Sequence, residues 1–395
     1  MIRRGGLGDL AGILDRIDER GVVVRTEAMG DRFVSWDAIF RVEPPLAGSL
    51  SRDWLEDGTN VWRARTRIGR GDYLLAEPVL EAIAPRFIGR GDPMSLVVME
   101  GLLRCKIATG DHAAAIVPML ESIRIRSLGN AIEPWPTLPP VIDPNAGLAP
   151  AIPPAWAVGT DRPRLARELD LYLAGLVSIR RSAQFDDHAS LAADRTAMLA
   201  RWYRAGLTPE TADDAAAIDE ARRILESTDR DAIEAGGVDA IATLASLERA
   251  IRIMEALGRD NRPPTEAERT SVANGDRHAL AALLDPWASA DRTDLAPAWV
   301  RDWTALLRGR RAIASDDPAH RDLGLIALLG PPARSGVERP YLAGLALALA
   351  ADGLDASGRT AAADAVRTDL IARFPGHPSI KSLDGAADAS EVSVP

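Results

Sequence analysis

Cysteine is almost missing from this 395-residue chain, and Cys105 stands alone. One thiol excludes an intrachain disulfide and any cysteine-based metal cluster. Lysine is nearly as scarce: Lys106 and Lys381 are the two, and every other member of the 47 basic residues is arginine. We read that bias as high genomic GC content in a bacterium, not as a binding patch. The formal charge is -10 and the pI about 5.2. With its cations dispersed, the chain lacks the clustered Lys and Arg that a phosphate backbone demands, so no nucleic-acid partner is expected. Long apolar runs are also missing. Nothing approaches the roughly 18 residues that span a bilayer, so no membrane insertion is expected, and "MIRRGGLGDLAGIL" lacks an apolar run of signal-peptide length. The expected location is cytoplasmic, or exported or periplasmic if the true start lies upstream of Met1.

What is present is ordinary globular composition, 47% apolar and 26% charged, in a chain long enough for two or three domains or one elongated repeat array. The first 45 residues stand apart. "LAGILDRIDERGVVVRTEAMGDRFVSWDAIFRVEP" carries β-rich runs at Gly12 to Ile17, Val22 to Thr26 and Arg32 to Val42, broken by Glu19-Arg20-Gly21 and Met29-Gly30-Asp31. A glycine in the first strand, the tight turn of "DRIDERGV" and an aromatic followed by Ile-x-x-Val make residues 1–45 resemble Sm-like small β-barrel modules. That resemblance implies RNA binding, against which stand seven arginines facing eight acidic residues in the segment.

From Asp53 the apolar period lengthens to helical: Trp62, Ile68, Leu75, Val79, Leu80 and Ile83. The pentapeptide Ile-Gly-Arg-Gly-Asp occurs twice, at 68–72 and 88–92, and Gly-Asp recurs at 110–111. Glycine just past a helix end adopts the left-handed conformation without strain, and aspartate accepts hydrogen bonds from the free amides of the next helix. Each Gly-Asp therefore reads as a corner that closes one helix and opens another, with Gly71, Gly91 and Gly110 in turns and Asp72 and Asp92 as caps. Superposing "WRARTRIGRGDYLLAEP" on "GLLRCKIATGDHAAAIV" aligns Arg65 with Arg104, Ile68 with Ile107 and Ala76 with Ala115. This segment, 53–127, resembles a tetratricopeptide repeat. So does 335–383, in "YLAGLALALAADGLDASGRTAAADAVRTDLIARFPGHP", where Gly344, Ala348, Gly358, Ala362, Leu370, Phe374 and Pro375 fall at the small, turn and terminator positions. The resemblance implies a mainly α, tetratricopeptide-like α-solenoid of antiparallel helix pairs behind a small N-terminal β module.

Eight prolines between Pro134 and Pro154 make 128–162 an extended connection whose apolar content argues against a free linker. A helical array follows over 163–330, with helices predicted at 164–181, 189–204, 209–226, 238–257, 277–290, 296–310 and 318–329. Thr208-Pro209-Glu210 and Asp317-Pro318 are explicit starts, each a cap before proline at the first helical position. Residues 384–395 read as a disordered tail.

Searches for chemistry end in structural readings. The Arg-Gly-Asp triplets need an exposed loop to act in adhesion. A P-loop needs a lysine that neither copy has. Histidines 112, 188, 278, 320 and 377 are scattered, and Asp186-Asp187-His188, the one group with metal-like chemistry, reads as a capped helix start. Cys105 sits between Arg104 and Lys106 and reads as a buried repeat residue. Asp213-Asp214 and Asp316-Asp317 are helix starts. No catalytic, cofactor or metal residue is assigned. Trp135, Trp156, Trp299 and Trp303 are the candidate partner-binding anchors, since aromatics dominate interface energetics. The expected function is a non-enzymatic scaffold for a protein or peptide partner. The alternative is a helical regulatory or substrate-binding subunit of an enzyme complex, or an enzyme whose site is not legible.

Overall fold

A computed structural model describes residues 2–3, 9–42, 51–129, 133–152, 162–183, 186–205, 214–234, 237–260 and 298–380. The protein is mainly α, with a small antiparallel sheet at its N-terminal end. It divides into two compact units that interleave along the chain. Unit 1 holds 1–108, 114–141 and 172–197, and unit 2 holds 109–113, 142–171 and 198–395.

In unit 1, β2 (Ile13–Asp18), β3 (Gly21–Thr26) and β4 (Gly30–Ser35) pair in sequence order, with Asp18 opposite Gly21 and Thr26 opposite Gly30. The first two match predicted strands and the breaks at 19–21 and 29–31 hold, but the run predicted as one strand over Arg32–Val42 is interrupted after Ser35 by a 3-10 turn at Trp36–Ala38, which carries Trp36 into the core. A separate ladder joins β1 (Ile2–Arg3) to β5 (Ile39–Arg41). Val22, Val24, Val34, Trp36 and Ile39 are buried, and Trp36 donates its indole N–H to the Asp18 carbonyl at 3.0 Å. The first helix packs against the backbone of Trp36 at Gly58, where a Cβ would sit 2.4 Å from the Trp36 carbonyl oxygen.

That helix, α1 (Arg52–Gly69), ends with Gly71 at φ +83, its N–H bonded to Ile68 O at 2.9 Å and the Asp72 N–H to Arg67 O at 2.9 Å. This pair of bonds defines a left-handed helix stop. After α2 (Tyr73–Ile83), the left-handed residue is Gly89 (φ +87), two residues before Gly91, although Gly91 does lie in the connection as predicted. Gly110 (φ +80) ends α3 (Pro93–Thr109), and residues 112–115 form a turn before α4 (Ile116–Ser127). The glycine corners thus fall between helices, but only Asp92 caps, accepting from Ser95 N at 3.0 Å. Asp72 stands at the cap position of α2 without a side-chain bond. The core gathers Ile68, Leu80, Ile83, Phe87, Leu96, Met99 and Trp135. Gly101 in mid-α3 exists for this packing, because a Cβ there would lie 3.0 Å from Leu80 Cδ1 and 3.1 Å from Ile68 Cδ1.

The proline-rich connection is not a free strand. Its Trp135 and Leu138 pack in the unit 1 core, and Ala146 belongs to a core cluster of unit 2. Next come α5 (Arg162–Ser182), α6 (Asp187–Ala205), α7 (Asp214–Glu226), α8 (Arg230–Glu234) and α9 (Val238–Asp260). The expected start at Thr208-Pro209-Glu210, the predicted helix at 277–290, Asp213 and the tail at 384–395 lie outside the described residues.

Four helices close unit 2, α10 (Ala298–Ile313), α11 (Pro318–Ser335), α12 (Pro340–Ala356) and α13 (Thr360–Arg373), each packed on the one before it. This consecutive packing is compatible with a solenoid. Asp317 caps α11 as expected, accepting from Ala319 N at 2.9 Å with Pro318 at the first helical position. Gly358 (φ +77) stops α12 with the same bond pair seen at Gly71. Among the described residues, no helix is long and apolar enough to cross a membrane.

Candidate functional site

Unit 1 contains a cleft of about 730 Å³. The β2–β3 turn supplies one wall through Asp18, Glu19 and Arg20, and the second Ile-Gly-Arg-Gly-Asp loop supplies another through residues 89–92. Trp54 of α1 and the start of α6, with Asp186 and His188, complete it. Trp54 is half-buried, its ring 5.5 Å from that of buried Trp36.

The loop is clamped from below. Glu121, fully buried on α4, accepts the Gly89 N–H at 2.6 Å, two hydrogen bonds from Arg124 at 2.7 and 2.9 Å, and the Tyr172 hydroxyl at 2.7 Å. Arg124 in turn donates to the Arg90 carbonyl. Burial favours the neutral form of Arg124, but its bonds and charge attraction to Glu121 prevail and raise its pKa. Burial, reinforced by the Glu121 charge, lifts the Tyr172 hydroxyl well above its ordinary value, so it stays a donor.

Both arginines of the cleft are already engaged. Arg90 bonds Asp92 through Nε at 2.8 Å, donates to the Glu19 carbonyl at 2.7 Å, and lies 4.6 Å over the Phe87 ring. The Asp92 side chain is 1% exposed, which withdraws this Arg-Gly-Asp from any adhesion receptor. Arg20 pairs with Asp18 at 3.4 Å and gives it a backbone N–H at 2.9 Å. Burial acts to raise the Asp18 pKa, yet the bonds and charge of Arg20 hold it below the usual value. Asp186 caps α6 through the Ala189 N–H at 3.0 Å, the role expected for the Asp186-Asp187-His188 group. Among the described residues, no three His, Cys, Asp or Glu side chains gather where a metal ion would be held.

Two histidines far apart in sequence meet in unit 2. His112 is buried and 6.5 Å, ring to ring, from His377, with Tyr341 between at 5.8 and 5.4 Å. His112 follows the Gly110 turn and points into the interior. His377 accepts the Ser379 N–H on Nδ1, so its Nε2 carries the proton given to the Tyr341 carbonyl at 2.9 Å. Neither ring nitrogen of His112 has a partner among the described residues. Burial pushes both imidazoles down to about 4, with charge from His377 adding at His112.

The remaining candidates are interior. Trp135 is buried and donates to Arg65 O at 3.2 Å, with the Arg104 guanidinium 5.4 Å from its ring. Trp299 and Trp303 are buried in the α10 core, and Trp156 lies outside the described residues. Cys105 is buried, and burial followed by the Glu77 charge pushes its thiol up to about 12, which removes thiolate chemistry at neutral pH. The exposed apolar side chains lie elsewhere. On α11, Leu325 and Leu328 face the core, while Leu323, Ile326 and Leu329 are 62%, 68% and 40% exposed. Sequence reading placed the helix but missed this face, because residues 323–329 are apolar towards core and solvent alike and so show no one-sided stripe.

The chain matches no protein-family model, no curated protein and no solved structure.

Proposed function

We propose that this chain is a non-enzymatic, cytoplasmic interaction scaffold, a tetratricopeptide-like solenoid that docks a protein or peptide segment on the outer face of α11. The observation that carries the reading is the row Leu323, Ile326, Leu329, three large apolar side chains at helical spacing left open to solvent. Burying each such side chain is worth roughly 1.5–3 kcal/mol, so a partner that covers the row gains most from this helix. Contiguous exposed apolar surface of this kind marks interaction sites more often than isolated leucines do, and stacked helical pairs present such faces to extended or helical segments.

The test compares the full chain with its Leu323→Asp/Ile326→Asp variant in quantitative affinity capture from native cells, with light scattering to register self-association. Both substitutions sit at exposed positions, so the thermal midpoint should hold. A partner, or a second copy, retained by the parent and lost by the variant supports the reading. Identical capture by both sinks it.

The cleft of unit 1 favours a second reading, a regulatory or substrate-binding subunit of an enzyme complex or an enzyme in its own right. Turnover in a metabolite screen by a chain that captures no partner would select it.

A further inference from the structure

From the charge balance of the unit 1 cleft we infer that it binds a small organic cation, an amine or guanidinium carried on a short apolar stem. Four carboxylates, two guanidiniums and the His188 imidazole line the cleft, and the pairing among the carboxylates and guanidiniums sets its sign. Asp92 pairs with Arg90 at 2.8 Å, and Asp18 is shared by Arg20 at 3.4 Å and Arg16 at 3.5 Å. Glu19 and Asp186 are left over: neither carboxylate has an ion-pair partner among the described residues, and Asp186 spends one oxygen on the Ala189 amide. With Arg16 counted, four carboxylates meet three guanidiniums, so the wall keeps a surplus of one negative charge, and two of its carboxylates have no paired cation among the described residues.

An anion finds nothing comparable. The first amides of α3, which would otherwise attract phosphate, face the Asp92 carboxylate, which takes the Ser95 N–H at 3.0 Å and the Ser95 hydroxyl at 2.8 Å. The Arg90 guanidinium is spread over Asp92, the Glu19 carbonyl and the Phe87 ring, so freeing it would break three contacts. Trp54 adds what a cation with an apolar stem uses, an indole half open to solvent and backed by Trp36. Tryptophan gives the strongest aromatic attraction for ammonium and guanidinium groups. The volume suits a ligand of amino-acid to dipeptide size.

The cleft is rigid where it matters. Glu121 and Arg124 tie the Gly89 amide and Arg90 carbonyl to α4, so the loop is set before any ligand arrives.

Calorimetric titration of the full chain at low ionic strength with n-butylamine and n-butylguanidinium tests the inference, with butyrate and n-butanol as stem-matched controls. Saturable binding of the cations alone is expected, weakening as salt is added. Glu19→Gln/Asp186→Asn should weaken it about tenfold, the scale of two partly exposed charge contacts. Asparagine keeps the α6 cap, so an unchanged thermal midpoint separates charge loss from unfolding. A blocked Gly-Lys-Gly peptide binding tighter than butylamine assigns the cation to another protein's side chain, and equal or weaker binding assigns it to a free amine. Butyrate binding as well as butylamine, no saturation by either cation, or an unaltered affinity in the double variant each overturns the inference. Because the α11 face takes no part, failure here leaves the scaffold reading standing.

Discussion

Glu121 is the residue on which unit 1 should depend most heavily. It is fully buried and spends both oxygens on four donors: the Gly89 amide, Arg124 twice and Tyr172. Replacing it by leucine strands the Arg124 guanidinium, whose side chain is 3% exposed, without a counter-charge. An uncompensated buried charge of this kind costs about 3–5 kcal/mol. Tyr172→Phe removes one charge-assisted bond and should cost about 1.5–3 kcal/mol. The double replacement Glu121→Leu/Arg124→Met removes both charges together, and should regain most of the single-variant loss because matched apolar pairs substitute well for buried ion pairs. With Arg124→Met added to complete the cycle, equilibrium urea unfolding of the full chain, followed by circular dichroism, measures all four variants and yields the coupling energy of the pair. A Glu121→Leu variant within 1 kcal/mol of the parent by this assay, in the sense of about a fivefold change in the folding equilibrium, would refute the reasoning. So would a double variant no better than the worse single.

Two further outcomes follow from interior geometry. Gly101→Ala should fail to stabilise although it sits in a helix interior, because its Cβ meets Leu80, Ile68 and Trp135 at 3.0, 3.1 and 3.2 Å, whereas Gly175→Ala, with open space around it, should gain about 1 kcal/mol. Thermal unfolding of the two variants side by side checks the opposite signs. For His112 and His377, folding lowers the imidazole pKa from 6.5 to about 4, so the unfolded chain binds protons more readily. Their contribution is complete above pH 6.5 and drains away as pH falls towards 4, by about 3 kcal/mol for each ring acting alone. His112→Phe should flatten that window and, by removing ring nitrogens that find no partner among the described residues, stabilise the chain at pH 7 by about 1–2 kcal/mol. Unfolding titrations of parent and variant at pH 7 and 4.5 decide it, and parallel pH dependences would contradict the assignment.

What the sequence disclosed was local, and what it hid was assembled from afar. The strands of 13–35, the caps at Asp92 and Asp317 and the stops at Gly71 and Gly358 each depend on residues within about one turn of chain, and periodicity and turn chemistry found them. The loop at 87–92 went wrong by two residues for a reason absent from its own letters. Gly89 takes the left-handed conformation where its amide meets Glu121, 32 positions away. The same holds for charge. Arg104, Arg124 and Glu100 look like surface residues by type, yet all are buried, because Glu100 meets Arg104 one turn away and Arg126 across 26 positions, while Arg124 meets the buried Glu121.

The cleft follows that logic one step further. Glu19, Trp54, Arg90 and Asp186 belong to a turn, a helix, a loop and a cap, and each of them, taken alone, has a sufficient structural explanation. Asp186 is a cap whether or not a ligand visits. Arg90 is a brace for the loop beside Glu19. Only when the pairing is tallied around one cavity does the surplus of negative charge appear, and a surplus is a property of the set that no member displays. A local sequence rule therefore recovers the scaffold of such a site while missing its sign. The sign is what selects the ligand, since an aromatic wall beside spare carboxylates attracts a cation, and the same wall beside spare guanidiniums would attract an anion.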